Sequence, residues 1–158
     1  VVIDESALES IDSLAVIRSW NKRALHEVRL VLDPISAHGE WSGSNPFNWS
    51  ITPASDSQIV AITRARIKWS QNFRFWRAVP PVSADLHQSP GLIAAIGIGE
   101  APIGLQGTFS LWENGKALRD FAYKGQAHQR AIEATAQYNW YAEELFSRFA
   151  VRHVRGQL

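Results

Sequence analysis

The sequence contains no cysteine and no methionine. It therefore cannot form a disulfide, a zinc–cysteine site, or an iron bond through a thiolate or thioether sulfur. Neither sign of charge predominates, because the sequence contains 16 Lys and Arg and 15 Asp and Glu. It therefore does not predict a nucleic-acid-binding face. No apolar run reaches the roughly 18 residues that indicate a membrane-spanning helix. The motifs of P-loops, dinucleotide-binding turns, nucleophile elbows and zinc helices are missing as well.

What the chain does contain is typical of a folded globular protein. Its 158 residues are 46% hydrophobic and 20% charged, and they include seven Trp and seven Phe. A chain of this length buries roughly 70% of the surface that its unfolded form exposes, so a sizeable core is expected. Because the sequence opens on Val1 and has no methionine, we expect a fragment or a processed form of a longer protein.

The hydrophobic pattern from residue 58 onward predicts one complete ferredoxin-like unit. The segments that show strand or helix periodicity are 59–68, 72–88, 92–98, 105–112, 113–138 and 143–154. Breaks are expected at Pro80-Pro81 and near Gly125, inside the two helical segments. The order β-α-β-β-α-β is the split βαβ arrangement.

Residues 1–57 predict the C-terminal half of a preceding unit of the same kind, followed by a long loop. A helix is expected over about 5–25, and a strand over 27–32 that the turn Asp33-Pro34 ends. The predicted fold class is α+β: a ferredoxin-like unit of the dimeric α/β-barrel type, with the tail of a similar unit before it. The predicted domains are 1–57 and 58–158. Joining two units, in one chain or across a homodimer, would cover their sheet edges.

One helical face in the segment 115–137 carries an imidazole among apolar residues. Its members follow at steps of three or four, and they are Leu118, Phe121, Ala122, Gly125, His128, Ile132 and Thr135. His128 is expected to point inward, either as a core histidine bonded to a backbone carbonyl or as a functional group. Gly125, one turn earlier, would let a flat ligand or another backbone approach closely. If the chain binds haem, only His or Tyr can hold the iron, and His128 is the best internal candidate.

Alternate positions on the predicted strand 59–68 change from apolar to basic. They read Val60, Ile62, Arg64, Arg66 and Lys68. Such a face suits a ligand with an apolar body and a carboxylate tail, because the guanidinium fork matches a carboxylate. A solvated strand edge explains the same pattern, and both interpretations stay open on these residues alone.

Several runs, in order over nearly the whole chain, resemble the spheroidene monooxygenase family. They are Gly39-Glu40-Trp41-Ser42-Gly43 with Pro46-Phe47, Phe75-Trp76-Arg77-Ala78-Val79-Pro80, Gly97-Ile98-Gly99-Glu100, Thr108-Phe109-Ser110-Leu111-Trp112, Phe121-Ala122-Tyr123, His128, and the stretch from Trp140 to Phe149. The resemblance implies a haem-dependent, oxygen-using enzyme that oxidises C2 of an acyclic methoxylated carotenoid to a ketone. It also implies a ferredoxin-type electron donor and a longer parent protein with a preceding half-barrel.

Under this resemblance the expected cofactor is haem b, bound between the helix 115–137 and the sheet. His128 is then the expected iron ligand, with Gly125 beside it. The expected propionate partners are Arg64, Arg66 and Lys68, and the expected substrate pocket is lined by Trp76, Phe109 and Trp112.

The remaining expectations concern partners and alternatives. We expect a hydrophobic small-molecule substrate, no nucleic acid and a cytoplasmic location, with a homodimer and a peripheral membrane contact left open. One alternative is a haem-binding protein of the same fold without carotenoid oxygenase activity, which carries haem or acts on another small substrate. Another is a cofactor-free oxygenase or ligand-binding domain, since fold alone does not separate these classes.

Overall fold

The structure, a computed structural model, describes residues 10–47, 50–99, 104–124 and 126–156, without the side chains of 124 and 126–128. Its helices and strands alternate in an α+β arrangement. In chain order they are α1 (Ala15–Asn21), β1 (Val28–Gly39), β2 (Ile59–Ile67), a 3-10 helix (Trp69–Gln71), α2 (Asn72–His87), β3 (Leu92–Gly99), β4 (Leu105–Trp112), α3 (Gly115–Lys124), α4 (Gln126–Tyr138) and β5 (Tyr141–Gly156).

The five strands form one sheet in the order β1-β5-β2-β4-β3. β2 runs antiparallel to both β4 and β5, and β3 runs antiparallel to β4. The last four strands, with the helices between them, have the β-α-β-β-α-β order of a ferredoxin-like unit. The predicted α+β, ferredoxin-like fold is therefore confirmed, and β1 adds a fifth strand beside β5.

One face of the sheet packs against the helices and forms the core. Ile59 on β2 lies opposite Trp112 on β4, and both belong to one buried cluster with Leu86 of α2 and Leu118 of α3. The Trp112 ring lies 5.3 Å from the ring of Phe121, between centroids, and has no exposed surface. Because side chains alternate along a strand, this inner face takes every second residue of β2 and β4.

The strand β1 continues through Asp33-Pro34, where the sequence predicted a turn. β1 lies at the edge of the described sheet, and proline is tolerated on an edge strand because its missing N–H breaks no central ladder. The Pro34 carbonyl still accepts a hydrogen bond, from the Ile51 N–H at 2.8 Å. Asp33 is buried and accepts a hydrogen bond from Arg152 Nε at 2.8 Å, so it belongs to the packed strand.

The helix α2 also continues where a break was predicted, because it runs through both Pro80 and Pro81 to His87. The helical region 113–138 does divide, with α3 ending at Lys124 and α4 beginning at Gln126. Gly125 itself lies outside the described residues. Ile132, expected on the buried face of this region, has 54% of its surface exposed, so that part of the prediction is wrong.

The described residues fall into two compact units. One contains residues 10–30 and 154–156, where Arg29 forms ion pairs with Asp12 and Glu27. The other is Val31–His153 and contains β2, β3, β4 and the helices α2 to α4. The predicted domains 1–57 and 58–158 stay a prediction.

Candidate functional site

A row of side chains crosses four strands on the outer face, which is the face of the sheet turned away from α2, α3 and α4. Ile96, Phe109, Ile62 and Ser147 are direct cross-strand neighbours on β3, β4, β2 and β5. Exposure falls along this row from 62% at Ile96 to 3% at Ser147. The Ser147 hydroxyl is buried and has no hydrogen-bond partner among the described residues. The row, here the apolar row, therefore ends at an unpartnered hydroxyl.

The neighbouring row on the outer face contains a glycine that lies close to the backbone of β2. Ile98, Gly107 and Arg64 are cross-strand neighbours on β3, β4 and β2. A Cβ atom at Gly107 would overlap the carbonyl oxygen of Thr63 and crowd the Ile98 side chain. A side chain at this position would therefore require β2 to move away from β4.

Arg64 is buried and lies in a charged cluster at the end of the outer face. Its Nη1 donates to Glu143 Oε1 at 2.5 Å, and its guanidinium carbon lies 4.7 Å from the centre of the Trp41 ring. The Gly43 N–H donates to the other carboxylate oxygen of Glu143 at 3.1 Å. The arginine charge is thus satisfied on one side by a carboxylate and on the other by an aromatic face.

The same contacts determine the ionisation of Glu143. The hydrogen bond from Arg64 lowers the pKa of this carboxyl below its ordinary value, burial opposes that effect, and the backbone N–H groups of Gly43 and Ser42 add to the lowering. Glu143 is therefore a carboxylate at neutral pH, and the cluster of Arg64 and Glu143 carries no net charge.

The segment after β1 covers this end of the outer face through a tight turn. Ser42 and Gly43 both have positive φ angles, 55° and 76°, and the Trp41 N–H donates to the Ser44 carbonyl at 2.7 Å. Farther along, the Phe47 ring meets the Phe149 ring edge-on, with 5.0 Å between their centres. The turn brings the indole of Trp41 over Arg64, which explains the glycine-rich run that begins at Gly39.

The structure separates residues that the sequence assigned to one haem site. Arg64 and Arg66 occupy alternate positions of β2 that project from the outer face, opposite to the inner-face residues Ile59 and Trp112. The helices lie on the inner face. A ligand between α4 and the sheet would therefore not meet these two arginines. Lys68 follows β2, is half-buried, and donates its backbone N–H to the Trp140 carbonyl at 2.9 Å.

The three aromatic residues predicted to share a substrate pocket do not come together either. Trp112 is a fully buried core residue whose indole N–H donates to Ser110 Oγ at 2.9 Å. Phe109 is three positions away on the same strand and so lies on the outer face. Trp76 lies on α2, where it is 39% exposed and packs edge-on against Phe75. The prediction of one pocket with these three walls is wrong.

The haem site itself stays a prediction. The His128 side chain and Gly125 lie outside the described part of the chain, although α4 includes position 128. Among the residues that are described, no three His, Asp or Glu side chains are grouped so that they could hold a metal ion. Of the predicted haem partners, Arg64 is already engaged by Glu143, and Arg66 projects from the opposite face to α4. The sheet thus separates Arg64 and Arg66 from α4.

A second group, on the inner face, was not predicted from the sequence. Tyr141 begins β5 and is hydrogen-bonded to Thr135 of α4. Burial raises the pKa of Tyr141 above its ordinary value, the nearby Glu144 adds to this, and the hydrogen bond to Thr135 opposes it. The phenol therefore stays protonated at neutral pH. It borders a cavity of about 350 Å³ that Asn139 and Glu144 also line. Only the run Trp140 to Phe149 pointed to this region, without indicating a role for the phenol.

Comparison with known proteins gives three relatives named spheroidene monooxygenase. The relative from Cereibacter sphaeroides is 35% identical over 150 residues, which are 94% of this chain and 46% of that protein. The relative from Rhodobacter capsulatus is 37% identical over 143 residues, or 89% and 59% of the two chains. The one from Rubrivivax gelatinosus is 34% identical over 97% of this chain and 59% of its own. The resemblance to the spheroidene monooxygenases is confirmed.

This chain spans about half the length of the spheroidene monooxygenases that it matches. No family model matches the chain. A solved structure from Fusobacterium nucleatum subsp. nucleatum, provisionally described as a monooxygenase, has a TM-score of 0.58 at 10% identity, over 98% of this chain and 68% of that one. A Nitrosomonas europaea protein of unknown function has a TM-score of 0.50 at 13% identity, over 63% and 94%. Identities this low show a shared fold alone.

No helix in the described part of the chain combines the length and the apolar character that crossing a membrane requires.

Proposed function

We propose that this chain is part of a monooxygenase that oxidises C2 of an acyclic, methoxylated carotenoid of the spheroidene type to a ketone. The observation that carries this proposal is the identity of 34–37% with three spheroidene monooxygenases over most of the chain. The conversion of a CH₂ group to a ketone takes two rounds of hydroxylation at one carbon, after which the geminal diol loses water. Each round consumes one O₂, two electrons and two protons and releases one water.

The outer face supports a long apolar substrate. Ile96, Phe109 and Ile62 present a graded apolar surface across three strands, roughly 10 Å wide at the usual strand spacing. At its buried end lies the Ser147 hydroxyl, which has no hydrogen-bond partner among the described residues and would donate to a weakly polar atom, such as an ether oxygen, that reached it. A ligand with a hydrocarbon body and one oxygen atom near its end matches both parts of the apolar row.

Haem b with His128 as iron ligand is part of the proposal for the cofactor. Its support is the resemblance and the absence of cysteine and methionine, which restricts the ligand to His or Tyr. Lys68, near the end of β2, and Gly125 remain proposed neighbours of the haem. The arrangement of Arg64 and Arg66 on the outer face argues against them as its propionate partners.

The function is tested by incubating the purified protein with O₂, a reduced ferredoxin-type donor and detergent-solubilised spheroidene, and by chromatography of the product with mass analysis. We expect a product in which one oxygen has replaced two hydrogens. The absorption spectrum of the haem-supplemented protein tests the cofactor separately, and His128→Ala should abolish its Soret band.

The outcomes distinguish the proposal from its alternatives. A Soret band without turnover would favour a haem-binding protein that carries haem or acts on another substrate. Turnover by a colourless protein would favour a cofactor-free oxygenase. It would exclude haem as the cofactor and leave the proposed oxidation of the carotenoid standing. Unchanged Soret absorption in His128→Ala would show that another residue holds the iron.

A ferredoxin-type donor and a homodimer complete the proposal. The exposed side chains of Ile96 and Ile98 on the outer face support association with a second sheet, because apolar sheet surface gains free energy when it is covered. Light scattering of the purified protein should give twice the chain mass of 17.7 kDa if the homodimer forms.

A further inference from the structure

Three aromatic side chains project into solvent from the beginning of the helical segment that follows β2. Trp69 is 73% exposed, Phe73 is 78% exposed and Trp76 is 39% exposed. Their spacing of four and three residues puts them on one side of the helical segment. Aromatic residues of this size are usually covered, so a continuous exposed group of them indicates an interaction surface.

The sequence around this aromatic group is basic, and acidic residues are missing from it. No Asp or Glu occurs between Asp56 and Asp85, a stretch that contains five Lys and Arg residues. One of these, Arg64, is neutralised by Glu143. Arg66 projects from the outer face of the sheet and Arg74 lies over the Tyr138 ring. Lys68, which is half-buried, and Arg77, which is exposed, therefore remain next to the aromatic group. The surface therefore combines aromatic rings with an uncompensated positive charge.

The opposite side of the same helix is firmly packed. Phe75 meets the rings of Trp140 and Tyr141 edge-on, with 6.2 and 6.4 Å between ring centres, and Leu86 lies in the core. Arg74 is held over the Tyr138 ring at 4.7 Å and donates to Gln71 at 3.1 Å. The exposed rings therefore belong to a helical segment that is packed against the rest of the fold.

We propose that Trp69, Phe73 and Trp76, with Lys68 and Arg77, form a surface that docks on an anionic lipid bilayer. The aromatic rings enter the interfacial layer, and the guanidinium and ammonium groups meet lipid phosphates. The role of this docking in supplying a lipid-dissolved substrate rests on the proposed function. The composition of the surface does not depend on that function.

Charge complementarity favours an anionic bilayer as the partner of this surface. A second copy of this chain would bring the same positive charge to the same surface, whereas an anionic bilayer offers negative charge together with apolar depth. Single-stranded nucleic acid is the other polyanion that stacks on aromatic rings, and it serves as an outcome of the test.

The test is flotation of the full chain with phosphatidylcholine vesicles, with and without phosphatidylglycerol. We expect binding to the anionic vesicles that weakens as salt is added. The double variant Trp69→Ser/Phe73→Ser should bind roughly tenfold less or weaker still, because two rings are lost from the interface. Lys68→Gln/Arg77→Gln should weaken binding to anionic vesicles and leave the weak binding to neutral ones unchanged.

Matched controls are available on other helices. Tyr123 on α3 is as exposed as Trp69, at 73%, and Arg130 on α4 is exposed as well. Tyr123→Ser and Arg130→Gln should bind vesicles as the unmodified chain does. The proposal is overturned if the unmodified chain does not float, if Trp69→Ser/Phe73→Ser floats equally well, or if the chain prefers a single-stranded oligonucleotide to vesicles.

Turnover of detergent-solubilised carotenoid separates this inference from the proposed function. If vesicles are bound but detergent-solubilised carotenoid is not oxidised, the docking surface stands and the proposed function fails. If that carotenoid is oxidised but the chain does not bind vesicles, the proposed function stands and the proposal of a docking surface is wrong. When both hold, Trp69→Ser/Phe73→Ser should lose turnover with vesicle-borne substrate and keep it in detergent.

Discussion

At the scale of single residues, the most informative interaction is the ion pair of Arg64 and Glu143. These residues are 79 positions apart, and the register of β2 and β5 brings them together. Removal of both charges from water is unfavourable by itself, and the close geometry, the Trp41 ring and the Gly43 N–H offset that cost. The pair also fastens the turn 41–44 to the sheet.

The ion pair predicts a specific dependence of stability on pH. Arg64 lowers the pKa of Glu143 in the folded protein, so the carboxylate stabilises the fold above the ordinary carboxyl pKa. This contribution disappears as the pH falls through the folded-state pKa. Glu143→Gln should therefore lower the free energy of unfolding most near neutral pH, and its difference from the unmodified protein should narrow in acid.

Urea unfolding at several pH values measures that difference. The matched control is the same substitution in an Arg64→Met background, where the pH-dependent part of the difference should be lost. A difference between Glu143→Gln and the unmodified chain that stays constant into acid would contradict the assigned ion pair.

At the scale of elements, the central pair β2 and β4 depends on a glycine. Gly107→Ala would direct a methyl group at the Thr63 carbonyl, and the two strands would have to separate. We expect a loss of about 1–3 kcal/mol in the free energy of unfolding, as in other overpacked sites. Chemical denaturation measures it.

The control for Gly107→Ala is Gly97→Ala on the neighbouring strand β3. A Cβ atom at Gly97 meets nothing within 4 Å, so this change should alter stability by no more than about 0.5 kcal/mol, or raise it slightly. Equal losses in the two variants would mean that strand propensity, rather than the approach of β2, determines the need for glycine.

The elements that the sequence predicts well are those with a local signal. The strand β4 alternates Phe109 and Leu111 with Thr108 and Ser110, and it forms over the predicted residues Leu105–Trp112. The turn predicted at Asp33-Pro34 does not form, because β1 lies at the edge of the described sheet and an edge strand tolerates proline. Whether a strand lies at an edge depends on the tertiary fold and has no local signal. The helix α2 continues through Pro80-Pro81 and packs against the core through Leu86. The two prolines predict a break from local sequence alone, and this prediction takes no account of packing.

The site was less predictable than the fold, for two different reasons. Phe109 and Trp112 are three residues apart on one strand, so strand alternation alone could have separated them. The contact of Arg64 with Glu143 and Trp41 depends on pairing between distant segments, and no spacing in the sequence indicates it. Ser147 gave no signal either, because a serine within a strand is ordinary until its burial is known.

At the scale of the whole molecule, the order of the strands predicts an order of stability. β2 is hydrogen-bonded on both sides, to β4 and β5, whereas β3 is bonded to β4 alone within the described sheet. Hydrogen exchange of backbone amides should be slowest in β2, by roughly an order of magnitude or more relative to β3, because opening it disrupts two ladders.

Exchange measured by mass spectrometry after peptide digestion resolves the two strands. The peptide that covers Ile59–Ile67 should take up deuterium most slowly, and the one that covers Leu92–Gly99 should take it up early. Faster exchange in the first peptide than in the second would contradict the strand order β1-β5-β2-β4-β3.

The Ser147 hydroxyl at the end of the apolar row has a consequence for selectivity. A buried hydroxyl without a partner costs about 1–3 kcal/mol, and a ligand oxygen that accepts its hydrogen bond removes that cost. A purely hydrocarbon ligand of the same length covers Ile62 and Phe109 equally well but leaves the hydroxyl unsatisfied. The apolar row would therefore rank ligands by the position of one oxygen atom, while their length and hydrophobicity decide only whether they bind at all.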